Sequence, residues 1–219
     1  MTDSLRRKAI LIVKALAKDA GITAVGSVSR GSPFRALVST ILSHRTRDEK
    51  TGIASKALLA RYPNPESLAK AQVSEIARLI RGVGFYRVKA VWLKTIAGIL
   101  VHDFASKVPD SYEKLLTLPG VGRKTAGCVL VYGFRKPAIP VDTHVHRIAN
   151  RLGLVSTKSP QQTEEALTKL LPKRYWLPLN QSFVEYGKKI CKPVRPLCSL
   201  FRIASLCNSA ATAHSVTGS

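Results

Sequence analysis

Leu118-Pro119-Gly120-Val121-Gly122-Arg123-Lys124-Thr125-Ala126-Gly127-Cys128 is the stretch from which the rest of the chain can be read. A proline and two glycines separate an apolar segment from one with helical spacing, so a helix ends, turns tightly and restarts. Gly120 and Gly122 serve such a turn because it demands positive φ and lets the backbone approach a partner closely. The turn runs straight into a helix, so amides near both glycines point outward at the positive end of the helix dipole. Arg123 and Lys124 follow at once. A backbone phosphate of DNA fits that description; a plain interhelical turn is the commoner meaning of a single Gly-x-Gly. The pattern occurs twice, however. IRGVGFYRVKA (80–90) repeats Gly-Val-Gly at Gly82-Val83-Gly84, and two helix, hairpin, helix units are the natural reading.

Outward from these turns, nearly every segment reads as helix. Leu5 to Ala20 carries Ile10, Val13 and Ala17 on one face and stops at Gly21. Ser32-Pro33, Asn64-Pro65 and Ser159-Pro160 each pair an N-cap with a proline at the first helical position. Thr46 to Glu49 spells a capping box ahead of IASKALLA. Val73 to Ile80 and Lys89 to Val101 again show helical spacing. VLVYGF (129–134) has the composition of a strand but continues directly from Arg123 to Cys128, so it is assigned to helix. The fold class is therefore all-α. Residues after Asn208 are small and polar, and a frayed tail is expected over 212–219.

Composition narrows the partners. Of 219 residues, 35 are Lys or Arg and 13 Asp or Glu, a formal charge of +22, while 45% are hydrophobic. That much apolar content builds a core and argues against a disordered chain. A charge so far from zero repels itself unless a polyanion is the usual partner, which makes nucleic acid the first candidate and a merely basic surface the second. No apolar stretch approaches the roughly 18 residues that cross a bilayer, and the amino end has no signal-like apolar core. No membrane association, an intracellular location in cytoplasm or nucleoid, and a monomer are expected. Four cysteines without a secretion signal point to metal, catalysis or core packing rather than disulfides.

Lys124 stands in the first turn of its helix, where the dipole disfavours an ammonium and leaves part of the amine free to attack. Asp142, in PVDTHVHR, is an N-cap whose amide partners favour the carboxylate. A helix of about eleven residues runs about 17 Å from Lys124, and about seven extended residues return about 23 Å, so the two side chains are able to meet. The commoner roles are phosphate binding for Lys124 and capping for Asp142. His144 and His146 are given no chemical role.

Taken together, LPGVGRKTA and, 18 residues beyond Lys124, the aspartate of VDTHVHR resemble the endonuclease III family of helix-hairpin-helix DNA glycosylases. The resemblance covers almost the whole chain, from LVSTILSHRTRD (37–48) through GVGFYRVKA to FVEYGKKIC (183–191). It implies a two-lobed all-α fold: a six-helix barrel lobe with the hairpin at 27–136, and a second helical lobe from 1–26 and 137–211, with DNA in the groove between them. It implies a bifunctional DNA glycosylase and abasic-site lyase of base excision repair, acting on oxidised pyrimidines in double-stranded DNA. Lys124 would be the Schiff-base nucleophile and Asp142 its carboxylate partner, with Gly120, Gly122 and Arg123 binding DNA. Phe85 matches the family's usual leucine wedge, and Arg45 falls where many relatives carry a space-filling glutamine. Without the resemblance, Phe85 reads as a core aromatic and Arg45 as a solvated helix-end charge. A glycosylase for thymine or uracil opposite guanine, and a non-catalytic hairpin DNA-binding module, are the alternatives.

The family often ends in C-x6-C-x2-C-x5-C holding a 4Fe-4S cluster. Here Cys191, Cys198 and Cys207 occupy the first, second and fourth places, and Phe201 stands in the third. Phenylalanine cannot ligate iron, so a cluster would need another fourth ligand. The alternative is a loop folded by packing Phe201, Leu200 and Leu206, or a zinc site using His214, whose spacing is unlike common zinc motifs. Cys128 reads as a small buried hydrophobe.

Overall fold

The computed structural model describes residues 3–18, 24–29 and 31–209, and among them there are helices and turns but no strand. The helices are α1 Asp3–Ala17, α2 Ala24–Ser29, α3 Pro33–Ser43, α4 Asp48–Arg61, α5 Pro65–Lys70, α6 Val73–Leu79, α7 Tyr86–Asp103, α8 Tyr112–Leu116, α9 Arg123–Cys128, α10 Thr143–Arg151, α11 Pro160–Leu170 and α12 Trp176–Lys189. The chain divides into two compact units, Ile22–Lys136 and Met1–Gly21 with Pro137–Ser219.

In the first unit α3 is the central element. Phe34 and every residue from Ala36 to Leu42 are buried, so the helix is enclosed on nearly all sides by its neighbours. Leu37, Ile41 and Leu42 pack in a core with Leu58, Ile76, Leu93, Leu100, Leu115 and Val129. Each fully buried Leu or Ile contributes roughly 1.5–3 kcal/mol. Ser39 and Thr40 are tolerated inside because their hydroxyls donate to carbonyls one turn back, at 2.7 Å to Arg35 and 2.7 Å to Ala36. The run after α9 is helical, as its continuity with α9 predicts, but winds as a π-helical turn over Val129–Gly133. Gly133 lies so close to Pro33 that a Cβ would sit 2.7 Å from its Cα.

In the second unit α1 buries Ala9, Ile12, Val13 and Leu16 against a core shared with α10, α11 and α12. Its basic residues also close helix ends: Lys8 Nζ donates to Leu152 O at 2.8 Å and Arg6 Nε to Leu170 O at 3.1 Å. Cations at helix C-termini satisfy carbonyls that no intrahelical amide reaches.

Four of the five expected N-caps form, Asp142 at the start of α10 among them. Ser32, Asn64 and Ser159 accept from the backbone amide three residues on, the last two within capping boxes. Thr46 is the exception. The N-cap of α4 is Arg47, without a side-chain cap, because the Thr46 hydroxyl is committed to tertiary partners: it donates to His44 O at 3.0 Å and accepts from Gly84 N at 3.2 Å. Gly21, Ala20 and the tail from 210, including His214, lie outside the described residues.

Candidate active site and nucleic-acid interface

The two Gly-Val-Gly turns both connect a short helix to a following one, α6 to α7 and α8 to α9. In the second, Val121 N donates to Leu118 O at 3.1 Å and its side chain is buried, which closes the turn. Gly120 takes φ +72, and a Cβ there would lie 2.4 Å from the Trp92 ring. Only glycine meets both conditions. Gly122 is the N-cap of α9 and carries no side chain to occupy the first amides of the helix, so they face outward without a capping group. Arg123 is exposed, with its guanidinium 5.3 Å from the centroid of the Tyr112 ring.

Lys124 is half-buried in the first turn of α9, and its neighbour Thr125 is buried. Thr125 Oγ1 is 2.9 Å from Nε2 of His44, a residue just beyond the end of α3. Burial, then the charges of Lys124 and Lys89, push the His44 pKa down to about 4. His44 is therefore a neutral imidazole at physiological pH, beside the lysine. His44, Thr125 and Lys89 were not legible as site residues, because nothing in their local sequence separates them from ordinary helix residues.

Asp142 belongs to the other unit and is half-buried at the N-cap of α10. Its Oδ1 accepts from the amides of His144 and Val145, both at 2.9 Å. Its Oδ2 has no hydrogen bond among the described residues, so capping occupies one oxygen and leaves the other. Arg147, one turn on, donates to Gly187 O at 3.0 Å and Cys191 O at 2.7 Å and stands 3.1 Å from His144 Nδ1. Burial leads the lowering of the His144 pKa, opposed by the Asp142 charge. His146 is held 2.7 Å from Thr163 Oγ1. Lys124 and Asp142 are thus each positioned within their own unit.

Phe85 is not a core aromatic: it is 62% exposed, at φ +58, and serves as the N-cap of α7. Arg45 is exposed at φ +48, its guanidinium 5.5 Å from the centroid of the Phe85 ring. The two expected interface side chains are therefore brought together as a pair.

Cys191, Cys198 and Cys207 line one cavity of about 220 Å³, together with Phe201 and Arg151. Phe201 is buried and packs against Tyr186 with ring centroids 5.4 Å apart. Arg151 Nη1 lies 3.4 Å from Cys191 Sγ and also donates to Lys192 O at 2.7 Å, while Cys207 Sγ donates to Arg151 O at 3.5 Å. Three thiols and a buried phenyl ring do not supply the four thiolates of a 4Fe-4S cluster. Of the side chains expected to pack this loop, Phe201 is buried and Leu206 half-buried, but Leu200 is 63% exposed. Ile203, the residue that precedes the turn at Ala204–Leu206, is buried instead. Cys128 is buried, as expected of a small hydrophobe.

Residues 38–173 match the model of the HhH-GPD superfamily of base excision DNA repair proteins. Endonuclease III of Thermotoga maritima is 58% identical over 166 residues, covering 76% of this chain and 78% of that protein. Endonuclease III of a Synechocystis species is 40% identical over 185 residues, 84% of each chain. Among solved structures, a trapped endonuclease III–DNA covalent intermediate superposes with a TM-score of 0.85 at 30% identity, covering 95% of this chain and 98% of that one. A thermostable thymine-DNA glycosylase superposes at 0.81 with 25% identity, covering 96% and 100%.

Proposed function

The chain belongs to the HhH-GPD superfamily of base excision DNA repair proteins, and from that premise we propose that Lys124 is its nucleophile and Asp142 the assisting carboxylate. The protein is a bifunctional DNA glycosylase and abasic-site lyase of the endonuclease III type. The observation that carries the residue assignment is the open first turn of α9: a half-buried lysine at a glycine-capped helix start, beside a neutral imidazole.

The chemistry follows from an amine in that position. A damaged nucleotide leaves the base stack, and the Lys124 Nζ lone pair attacks C1′ of its deoxyribose. The glycosidic bond breaks, with its electron pair leaving on the base, which takes up a proton. Asp142, through the oxygen its cap leaves open, stabilises the positive charge that develops on the sugar and assists proton transfer. Opening of the sugar ring gives an imine between Nζ and C1′. The imine acidifies the C2′ proton; its loss forms the C2′–C3′ double bond and expels the phosphate at C3′, cutting the strand 3′ to the lesion. Water then hydrolyses the imine and releases the lysine.

Oxidised pyrimidines are the proposed base substrates. The outward amides of the Gly120 to Gly122 turn, with Arg123, hold a backbone phosphate. Endonuclease III proteins generally carry a 4Fe-4S cluster, but with Phe201 in the third position this chain offers three of the four thiols, and no step runs through a cluster. Iron per chain is expected to lie well below four after anaerobic purification, and Phe201→Cys to raise it; a full complement in the parent chain would overturn this reading.

The enzymatic proposal is tested by incubating the protein with duplexes that contain thymine glycol, an abasic site or a guanine–thymine mismatch, then adding borohydride. A covalent protein–DNA adduct is expected with the first two. Adduct formation with none of them would refute it, and preference for the mismatch would move the substrate to the thymine-glycosylase reading.

A further inference from the structure

We propose that Lys89 is a positioning residue that clamps Arg45 and Phe85, from beneath, into one preformed exposed unit; this rests on reading those two side chains as the ones that enter the duplex. Lys89 is 1% exposed, an unusual state for an ammonium on any helix. Its Nζ donates to Leu42 O at 3.0 Å, to His44 O at 2.5 Å and to Thr46 Oγ1 at 3.4 Å. Three protons thus meet three acceptors, none of them a carboxylate. Burial lowers its pKa to about 8, so the charge is held at a cost, and neutral oxygens alone offset it.

Those acceptors are not arbitrary. Leu42 and His44 flank the last residue of α3, so their carbonyls belong to the end of a helix where intrahelical amides run out. Lys89, reaching over from α7, closes that end and fixes residues 44–46. Thr46 extends the clamp by accepting the Gly84 amide at 3.2 Å, which ties the 44–46 loop to the first Gly-Val-Gly turn. The two backbones are pressed so closely that a Cβ on Gly84 would lie 2.5 Å from Arg45 O.

What the clamp holds is strained and exposed. Arg45 and Phe85 both adopt left-handed φ, which costs energy in residues that have a Cβ, and Phe85 occupies an N-cap where a small polar residue would be more stable. Neither side chain recovers the cost through burial, since both are exposed and stack on each other. Strain without a packing return is accounted for if the pair must already be in place when DNA arrives, so that insertion orders nothing further.

The test uses Lys89→Met, which keeps the stem and removes the donors, with thermal unfolding as a check on the fold. Single-turnover excision of thymine glycol is expected to fall by about tenfold or more, while cleavage at a preformed abasic site, where no base must be prised out, stays within about threefold. The fluorescence rise of 2-aminopurine placed opposite the abasic site, a measure of unstacking, is expected to be lost. Gly84→Ala leaves Lys89 in place but drives Arg45 O away, and should reproduce the same split if Lys89→Met does not fold. Equal loss on both substrates with the fluorescence rise retained, or no loss in either variant, would overturn the positioning role. Should the parent chain form no adduct at all, the proposed reaction fails, and the 2-aminopurine comparison still decides the clamp.

Discussion

Gly82-Val83-Gly84 and Gly120-Val121-Gly122 are the same three residues in one unit of the molecule, and they close in the same way. Val83 N donates to Ile80 O at 2.9 Å and Val121 N to Leu118 O at 3.1 Å, with both valines buried. Beyond that bond they diverge. In the second turn the left-handed residue is the first glycine, Gly120, and the helix starts at the last, Gly122. In the first turn neither glycine is left-handed; Phe85 is, and it becomes the N-cap. The helix therefore starts one residue later relative to the triplet. The nearby lysines differ in the same sense, Lys89 buried and bonded to three oxygens, Lys124 half-buried beside a neutral histidine. A glycine triplet guarantees that a sharp turn is possible, and its surroundings decide which residue bears the strain and which lysine is buried.

The contrast breaks most visibly at the lysines. Lys124→Ala is expected to lower borohydride trapping on abasic DNA by on the order of 10³ or more, while duplex affinity changes little. Lys89→Met should still trap. Trapping by Lys124→Ala at the parental level would assign the nucleophile to another amine.

A smaller but cleaner difference is expected between the leading glycines. Gly120→Ala must accommodate positive φ and a Cβ 2.4 Å from Trp92, so denaturant unfolding should show a loss of roughly 2–3 kcal/mol. Gly82→Ala meets no atom within 4 Å and should stay within about 0.5 kcal/mol of the parent. Equal losses would mean that the two turns carry the same strain after all.

At the strained N-cap the expected sign reverses. Phe85→Gly removes a left-handed penalty of about 1 kcal/mol and so should raise the unfolding midpoint, while slowing excision of thymine glycol. A variant that lost both stability and excision would count against the exposed ring as a functional feature.

The mildest effect lies in pH. Folded His44 resists protonation until about pH 4, whereas in the unfolded chain it takes a proton near its ordinary 6.5. Between these values the unfolded chain holds more protons, so stability falls as pH drops from 6.5 toward 4. Thermal unfolding at pH 4.5 and 7.5 should show a smaller difference in His44→Asn than in the parent.

The N-caps at Ser32, Asn64 and Ser159 were legible because the bond spans three residues and the proline beside each leaves little choice of backbone. Thr46 follows the same local rule and breaks it, since its hydroxyl meets Gly84 and Lys89 from distant parts of the chain. Phe85 illustrates the same limit. An isolated aromatic after Gly-Val-Gly reads equally well as core or surface, and only the packing of residues 44–46 against the turn leaves it outside.

Sequence alone settled the all-α class, both hairpins, the first-turn placement of Lys124, the capping role of Asp142 and the missing fourth thiol, because each is a matter of residue type at short spacing. The tertiary structure decided that His44 is neutral beside Lys124, that Lys89 is buried and bonded to residues 42, 44 and 46 while Arg45 and Phe85 pair outside, and that Phe201 packs on Tyr186 among the cysteines. The physical reason is common to all three. Desolvation and close approach depend on atoms well beyond the span of a helical turn or a cap, and no local pattern encodes which of them will arrive.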